Sequence, residues 1–206
     1  MQNIIAKTSL KNRYSLMRHG ESLANRRGII VSAPENAIDD YGLTARGAEQ
    51  VMQAALNTRL DRNAIIVSSD FKRARETAEI MQNVIDTVDA IQFDTNLRER
   101  GFGQFELQPH DAYETVWAND VSHPNKSRHK VETVEATLQR ASKAISSLEQ
   151  NHTNKNILLV GHGDVLQILL AHHHSINPRF HRSLKSIANA DIRSLSKLEL
   201  NVKTSA

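Results

Sequence analysis

The sequence predicts an α/β protein: a mostly parallel central sheet with an edge strand, and helices between the strands. Two observations carry this. Short apolar runs rich in β-branched residues alternate with longer stretches whose apolar positions recur at helical spacing. Several of the runs also stop abruptly at glycine or small polar residues next to ionisable groups, and in α/β proteins ligands sit at the carboxyl ends of the strands. At 206 residues the chain suits one domain with a sizeable core, 1–206, carrying one insertion.

Tyr14 to Met17 is the first such run, and it ends in Arg18-His19-Gly20-Glu21-Ser22. A strand tip that delivers a cation and an imidazole points to a site; the alternative is that His19, one of ten histidines, fell beside an arginine by chance. Gly20 to Arg27 is helix-compatible, and its amino terminus would aim N–H groups at an anion, with Asn25 near that mouth or simply facing solvent. Gly28 to Asp40, with Pro34, Asn36 and Asp39-Asp40, reads as a loop flanking the site. Leu43-Thr44-Ala45-Arg46-Gly47 then opens a packing helix to Leu56, with Thr44 as its N-cap or, beside the site, as a contact to a phosphate oxygen.

Ala64 to Val67 is the second strand, ending at Ser68-Ser69-Asp70, and the helix after it carries Lys72, Arg73 and Arg75. Lys72 and Arg75 read as a solvated face. A guanidinium offers a rigid fork that matches two phosphate oxygens, so Arg18 and Arg73, one from each strand end, can clamp a phosphoryl group. Ile91 to Leu97 reads as a third extended segment delivering Arg98-Glu99-Arg100. Glu99 is either part of a surface ion pair or, in an anionic pocket, a carboxyl that holds a proton for a leaving oxygen.

From 107 to 130 the periodicity breaks down around Pro109, His110, Trp117, His123 and Pro124, and a basic patch follows at Lys126, Arg128, His129 and Lys130. This stretch reads as a lid insertion near the site, its cations holding the non-reacting part of an anionic substrate, or as a solvated excursion anchored by Trp117. Val131 to Leu148 carries a helical stripe through Val134, Leu138, Ala141 and Ile145. Asn156 to Val160 is the clearest strand, and its tip is Gly161-His162-Gly163-Asp164, the glycines allowing a sharp turn and close approach of a ligand. An apolar helix from Val165 runs into His172-His173-His174, whose consecutive positions diverge and make a poor metal chelate. Ser194 to Leu200 alternates as an edge strand, and the tail after Val202 should fray.

Composition narrows the function. The net charge of +3 is spread among interspersed acids, which gives nucleic-acid binding little support. The absence of cysteine removes disulfides, thiolate metal sites and a cysteine nucleophile. Met1 to Asn12 lacks the apolar core of a signal peptide, and no stretch reaches membrane-spanning length, so no membrane partner and a cytoplasmic location are expected.

Arg18-His19-Gly20-Glu21-Ser22 with Asn25, Leu43-Thr44-Ala45-Arg46-Gly47, Ser68-Ser69-Asp70 through Arg73-Ala74 and Thr77-Ala78, Leu97-Arg98-Glu99-Arg100, and Val160-Gly161-His162-Gly163 together resemble the histidine phosphatase superfamily, the phosphoglycerate mutase-like family. Each motif is weak alone; their number and order make the resemblance specific, and it covers nearly the whole chain. It implies a three-layer α/β/α sandwich. It implies that His19 takes the phosphoryl group as a phosphohistidine, that Arg18, Arg73 and His162 surround the phosphate with Asn25 and Thr44 nearby, and that Glu99 serves as acid and then base. No metal and no other cofactor is expected, since the arginines supply the positive charge.

Two departures stand out: Leu107 where family members often have glycine after Glu106, and Asp164 where they often have a second glycine. Asp164 would bring negative charge to His162 and favour its protonated form. Phosphatase is favoured over mutase, because the segment after Glu106 is shorter and less proline-rich than mutases suggest and Val131-Glu132-Thr133-Val134-Glu135 looks like the phosphatase branches. A non-catalytic module binding a phosphorylated ligand is the alternative of another class. The expected partner is a phosphorylated small molecule or a phosphoprotein.

Overall fold

A computed structural model describes residues 10–123 and 125–196. The start of the chain that was read for a signal peptide, Pro124, most of the expected edge strand 194–200 and the tail after Val202 lie outside the described residues. In chain order the elements are β1 (Arg13–Arg18), α1 (Leu23–Arg27), α2 (Pro34–Ala37), α3 (Ala45–Asn57), β2 (Ile65–Ser68), α4 (Lys72–Ile85) and β3 (Gln92–Phe93). They continue with α5 (Ala112–Ser122), α6 (Val134–Asn151), β4 (Asn156–Gly161), α7 (Gly163–His173) and β5 (Ile192–Ser194).

The sheet order is β3-β2-β4-β1-β5. β4 lies between β2 and β1 and runs parallel to both, while β5 joins the β1 edge antiparallel. Because side chains alternate across a strand, Leu16, Ile65, Val67, Ile157 and Leu159 pack on one face with Ala141, Ile145 and Leu169 of α6 and α7. Met17, Ile66, Leu158 and Val160 pack on the other with Val51, Ala74 and Met81 of α3 and α4. Helices on both faces of a mostly parallel sheet make the expected three-layer α/β/α sandwich.

Register aligns the strand tips. Arg18 pairs with Gly161, while Met17 and Ser68 both pair with Val160. The His19 N–H donates to the Gly161 carbonyl at 3.0 Å and the Ser69 N–H to that of Val160 at 3.0 Å. The residues that follow β1, β2 and β4 therefore emerge side by side.

Several local expectations are corrected. The segment 91–97 is extended only at Gln92–Phe93; Asp94 then accepts the Asn96 N–H at 2.8 Å and caps a 3₁₀ turn over Thr95–Leu97. The loop 28–40 contains the short helix α2, which Pro34 starts with its fixed φ. The segment 107–130, read as irregular, contains the three-turn helix α5. Its periodicity is hidden because Asp120 is buried where an apolar residue belongs, neutralised by Arg100. Around it Ile30, Phe102, Val116 and Val131 form a small separate core with Tyr113 and Trp117.

Candidate active site

His19 sits buried just beyond the β1 tip. Its Nδ1 lies 2.7 Å from the Gly20 carbonyl, and the Arg73 Nε lies 3.1 Å from its Nε2. A carbonyl only accepts and a guanidinium only donates, so the ring proton is assigned to Nδ1 and the lone pair to Nε2. Burial first, and then the charges of Arg73 and Arg18, hold the imidazole well below its ordinary pKa. His19 is thus a neutral imidazole with its lone pair turned toward an arginine.

The turn that holds His19 depends on two glycines from separate motifs. A Cβ on Gly20 would lie 2.4 Å from the Gly47 carbonyl oxygen, and one on Gly47 would lie 2.0 Å from that of Glu21. The first turn of α3 therefore packs directly on the backbone after β1. Thr44 caps that helix: its Oγ1 accepts the Gly47 N–H at 3.0 Å and donates to the Glu21 carboxylate at 2.8 Å. Both roles of its hydroxyl are thus engaged, one by the Gly47 N–H of its own helix and one by the Glu21 carboxylate.

Arg73 reaches in from the first turn of α4, its Nη2 bonded to the Val31 carbonyl at 2.9 Å. Arg18 is anchored through Nη1 to the Ile187 carbonyl at 3.0 Å. His162, at the β4 tip, stands with its ring centroid 5.3 Å from that of His19 and its Nε2 2.9 Å from Ser69 Oγ. Among the described residues Ser69 Oγ has no other acceptor for its proton, so that proton is assigned to His162 Nε2 and the ring proton to Nδ1. Arg18 Nε, Arg73 Nη1 and His162 Nδ1 are all buried with no hydrogen-bond partner in the protein. Buried donors are nearly always paired, so three unpaired ones converging near one imidazole suit an oxyanion.

Glu99 lines an open cavity of about 550 Å³ with Arg18, Asn25, Tyr113, Trp117 and Arg182, and its carboxyl feels the charges of Arg73 and Arg18. Its arginine neighbours are committed elsewhere. Arg98 pairs with Asp70, Nε to Oδ1 at 2.8 Å, and the buried Arg100 binds Asp120 through two 2.7 Å contacts. The Glu99 side chain accepts the Arg100 backbone N–H at 2.9 Å. Burial and then the charge of Asp164 raise its pKa above the ordinary carboxylate value, against the opposing pull of that N–H, Arg73 and Arg18.

Asp164 corrects a further expectation. Its carboxylate turns away from His162 to Trp117 Nε1 at 3.1 Å and Arg100 Nη1 at 3.3 Å. Burial and then Arg73 hold the His162 pKa well below the usual value, so that ring is neutral rather than protonated. The glycines flanking His162 have ordinary negative φ. Gly161 instead admits the Leu166 side chain, 3.3 Å from where a Cβ would stand.

The α1 amino terminus is closed by a capping box. Ser22 Oγ accepts the Asn25 N–H at 3.2 Å and Asn25 Oδ1 accepts the Ser22 N–H at 3.1 Å. Asn25 also accepts from Asn189 Nδ2 at 3.1 Å, so what it can offer a ligand in the cleft is its own Nδ2. Lys72 and Arg75 donate to the Asp39 and Ile38 carbonyls, tying the preceding loop to α4. The basic patch is not at this cleft: Lys126, Arg128 and His129 line a second cavity beyond the Arg100–Asp120 pair.

Sequence reasoning missed the cleft's outer wall. Tyr113 and Trp117 stack with planes 5° apart, and the Arg182 guanidinium lies 3.8 Å from the Trp117 ring centroid. Their i, i+4 spacing was a signal for the aromatic pair; nothing local marks Arg182. Asn189 was missed as well, although it also donates to the His19 carbonyl at 3.1 Å.

Unpaired arginine and histidine nitrogens beside a neutral imidazole, at the tips of parallel strands, define an α/β protein whose chemistry suits an oxyanion. A profile of the histidine phosphatase superfamily (branch 1) matches residues 14–202, and the chain belongs to that family. The adenosylcobalamin/alpha-ribazole phosphatase of Escherichia coli K12 is 32% identical over 165 residues, covering 76% of each chain. The Probable phosphoglycerate mutase GpmB of Escherichia coli O1:K1 is 30% identical over 161 residues, covering 76% of this chain and 72% of its own. The structure of Bacillus stearothermophilus YhfR superposes with a TM-score of 0.75 at 26% identity, covering 89% of this chain and 90% of that one.

Proposed function

We propose that this protein is a metal-independent phosphomonoester hydrolase that works through a phosphohistidine on His19. The observation that carries the reading is the meeting of a neutral His19, its lone pair assigned to Nε2, with three buried unpaired donors on Arg18, Arg73 and His162. In the first step His19 Nε2 forms a bond to phosphorus as the ester P–O bond breaks. Arg73 Nε passes from the imidazole to a phosphate oxygen, and the arginines and His162 hold the equatorial oxygens. Glu99, with its raised pKa, gives its proton to the departing alkoxide. In the second step Glu99 takes a proton from water, whose oxygen attacks phosphorus and restores His19. Asn25 lies where it can steady the substrate, whereas Thr44 acts through its helix.

The chain works as one domain, with the segment 107–130 as the wall that meets the leaving group. The substrate is a phosphorylated small molecule whose alcohol portion lies against Tyr113, Trp117 and Arg182. Similarity to phosphatase relatives and the arginine-supplied charge support hydrolysis without a metal. No helix among the described residues is long and apolar enough to cross a membrane.

The test is inorganic phosphate release from a panel of phosphomonoesters in EDTA, including 3-phosphoglycerate with and without 2,3-bisphosphoglycerate and with an enolase-coupled readout. Steady phosphate release from one ester is expected. Isomerisation without phosphate release would instead make the protein a mutase, and silence across the panel would favour a binding module.

A further inference from the structure

The basic patch of the segment 107–130 needs a role, because it does not reach the catalytic cleft. Lys126, Arg128, His123 and His129 surround a cavity of about 250 Å³, whose floor is the buried Arg100–Asp120 pair. The carboxylates in its lining are already taken. Asp120 is held by both Nη atoms of Arg100, and Glu132 by Arg140 at 2.7 Å and the Gly101 N–H at 3.1 Å. Among the described residues no carboxylate pairs with Lys126 or Arg128. His123 Nδ1 is buried and has no hydrogen-bond partner in the protein.

The loop that carries these groups is held in place. His129 and Lys130 both adopt left-handed backbone, φ 54° and 59°. The Gln104 N–H donates to the His129 carbonyl at 2.8 Å, and the His129 ring meets the Gln104 side chain at 3.1 Å and the Phe105 ring at 5.1 Å between centroids. Conformations of this kind persist only where the surroundings fix them. Two unpaired cations and an unsatisfied ring nitrogen on such a loop, around a concave floor, are the chemistry of an oxyanion site.

We infer that this cavity is a second anion-binding site, separate from the catalytic cleft, that takes a small oxyanion such as phosphate between Lys126, Arg128 and His123. The two sites share a wall. Arg100 lies in the floor of the cavity and also touches Asp164, which lines the cleft together with Glu99. Occupation of the cavity therefore bears on the charge behind the proton donor.

The test is calorimetric titration of inorganic phosphate into the full chain at constant ionic strength, with sodium chloride as the control. Wild type is expected to show two saturable sites, and the Lys126→Gln/Arg128→Gln variant one. Both substituted residues are solvent-exposed, so the variant keeps its fold. The Arg73→Ala variant is the converse: it loses the cleft site and keeps the other, which weakens at least tenfold when the two substitutions are added. Phosphate binding that the Lys126→Gln/Arg128→Gln substitutions leave unchanged, an Arg73→Ala variant that binds none, or heats that chloride reproduces would each overturn the assignment. None of these readouts depends on turnover, so they stand apart from the hydrolase reading.

Discussion

At the scale of the residue, the account turns on which groups are engaged and which are free. Arg98 and Arg100, the sequence neighbours of Glu99, pair with Asp70 and Asp120, and Glu99 is left to face the cleft with a raised pKa. Replacing it by Gln should lower turnover of an alkyl phosphate by ~10²–10⁴, because an alkoxide needs a proton to leave. The first burst of nitrophenol from p-nitrophenyl phosphate should survive in the same variant, since nitrophenolate leaves unprotonated; equal loss of both would remove Glu99 as the acid. Thr44 makes the opposite case. Its Oγ1 serves α3, so Thr44→Ala should cost about 1 kcal/mol in urea unfolding and leave KM unchanged. The placement of Arg18, His19, Arg73 and His162 was legible because a short motif sets each at or just beyond a strand end. Asp164 was misread: its nearness to His162 in sequence says nothing of a carboxylate that turns to Trp117 and Arg100.

At the scale of the element, β1, β2 and β4 were legible because buried parallel strands are continuous apolar runs. The third extended segment, 91–97, was read too long, and α5 was missed, for a shared reason: a polar side chain in each has a structural partner that periodicity does not show. Asp94 caps a 3₁₀ turn, and Asp120 is buried against an arginine twenty positions earlier in the chain. The departure at Leu107 has a visible cost. Leu107 takes φ 60°, the left-handed region that glycine occupies freely, and its N–H donates to the Ile30 carbonyl at 2.8 Å. Leu107→Gly should therefore raise unfolding stability by up to about 1 kcal/mol, measured by urea denaturation, without altering activity. A destabilised Leu107→Gly protein would mean that the leucine side chain contributes more than its backbone costs.

At the scale of the whole molecule, the site is set between two cores that the alternating faces of the sheet bury on opposite sides. That layering was expected from the sequence; the assembly of a cleft wall from α5 and Arg182 was not, because it depends on how distant segments pack. Burying two neutral histidines also gives the fold a pH dependence. His19 and His162 have pKa values well below the ordinary one, so the unfolded chain takes up protons near pH ~6.5 that the folded chain refuses. Stability should be full above that range and fall as the pH drops below it, by as much as about 1.4 kcal/mol per pH unit for each histidine. Unfolding free energies that stay level from about pH 7.5 to about pH 5.5 would contradict the burial of both rings as neutral groups.

The central claim is that His19 carries the phosphoryl group. Rapid quenching of turnover into base, followed by mass spectrometry of the peptide containing residues 14–26, tests it most directly. One phosphoryl group on His19, stable in base, lost in acid and absent from the His19→Ala variant, is the predicted result. Undiminished turnover by His19→Ala, or a phosphoryl group trapped on another residue, would contradict it.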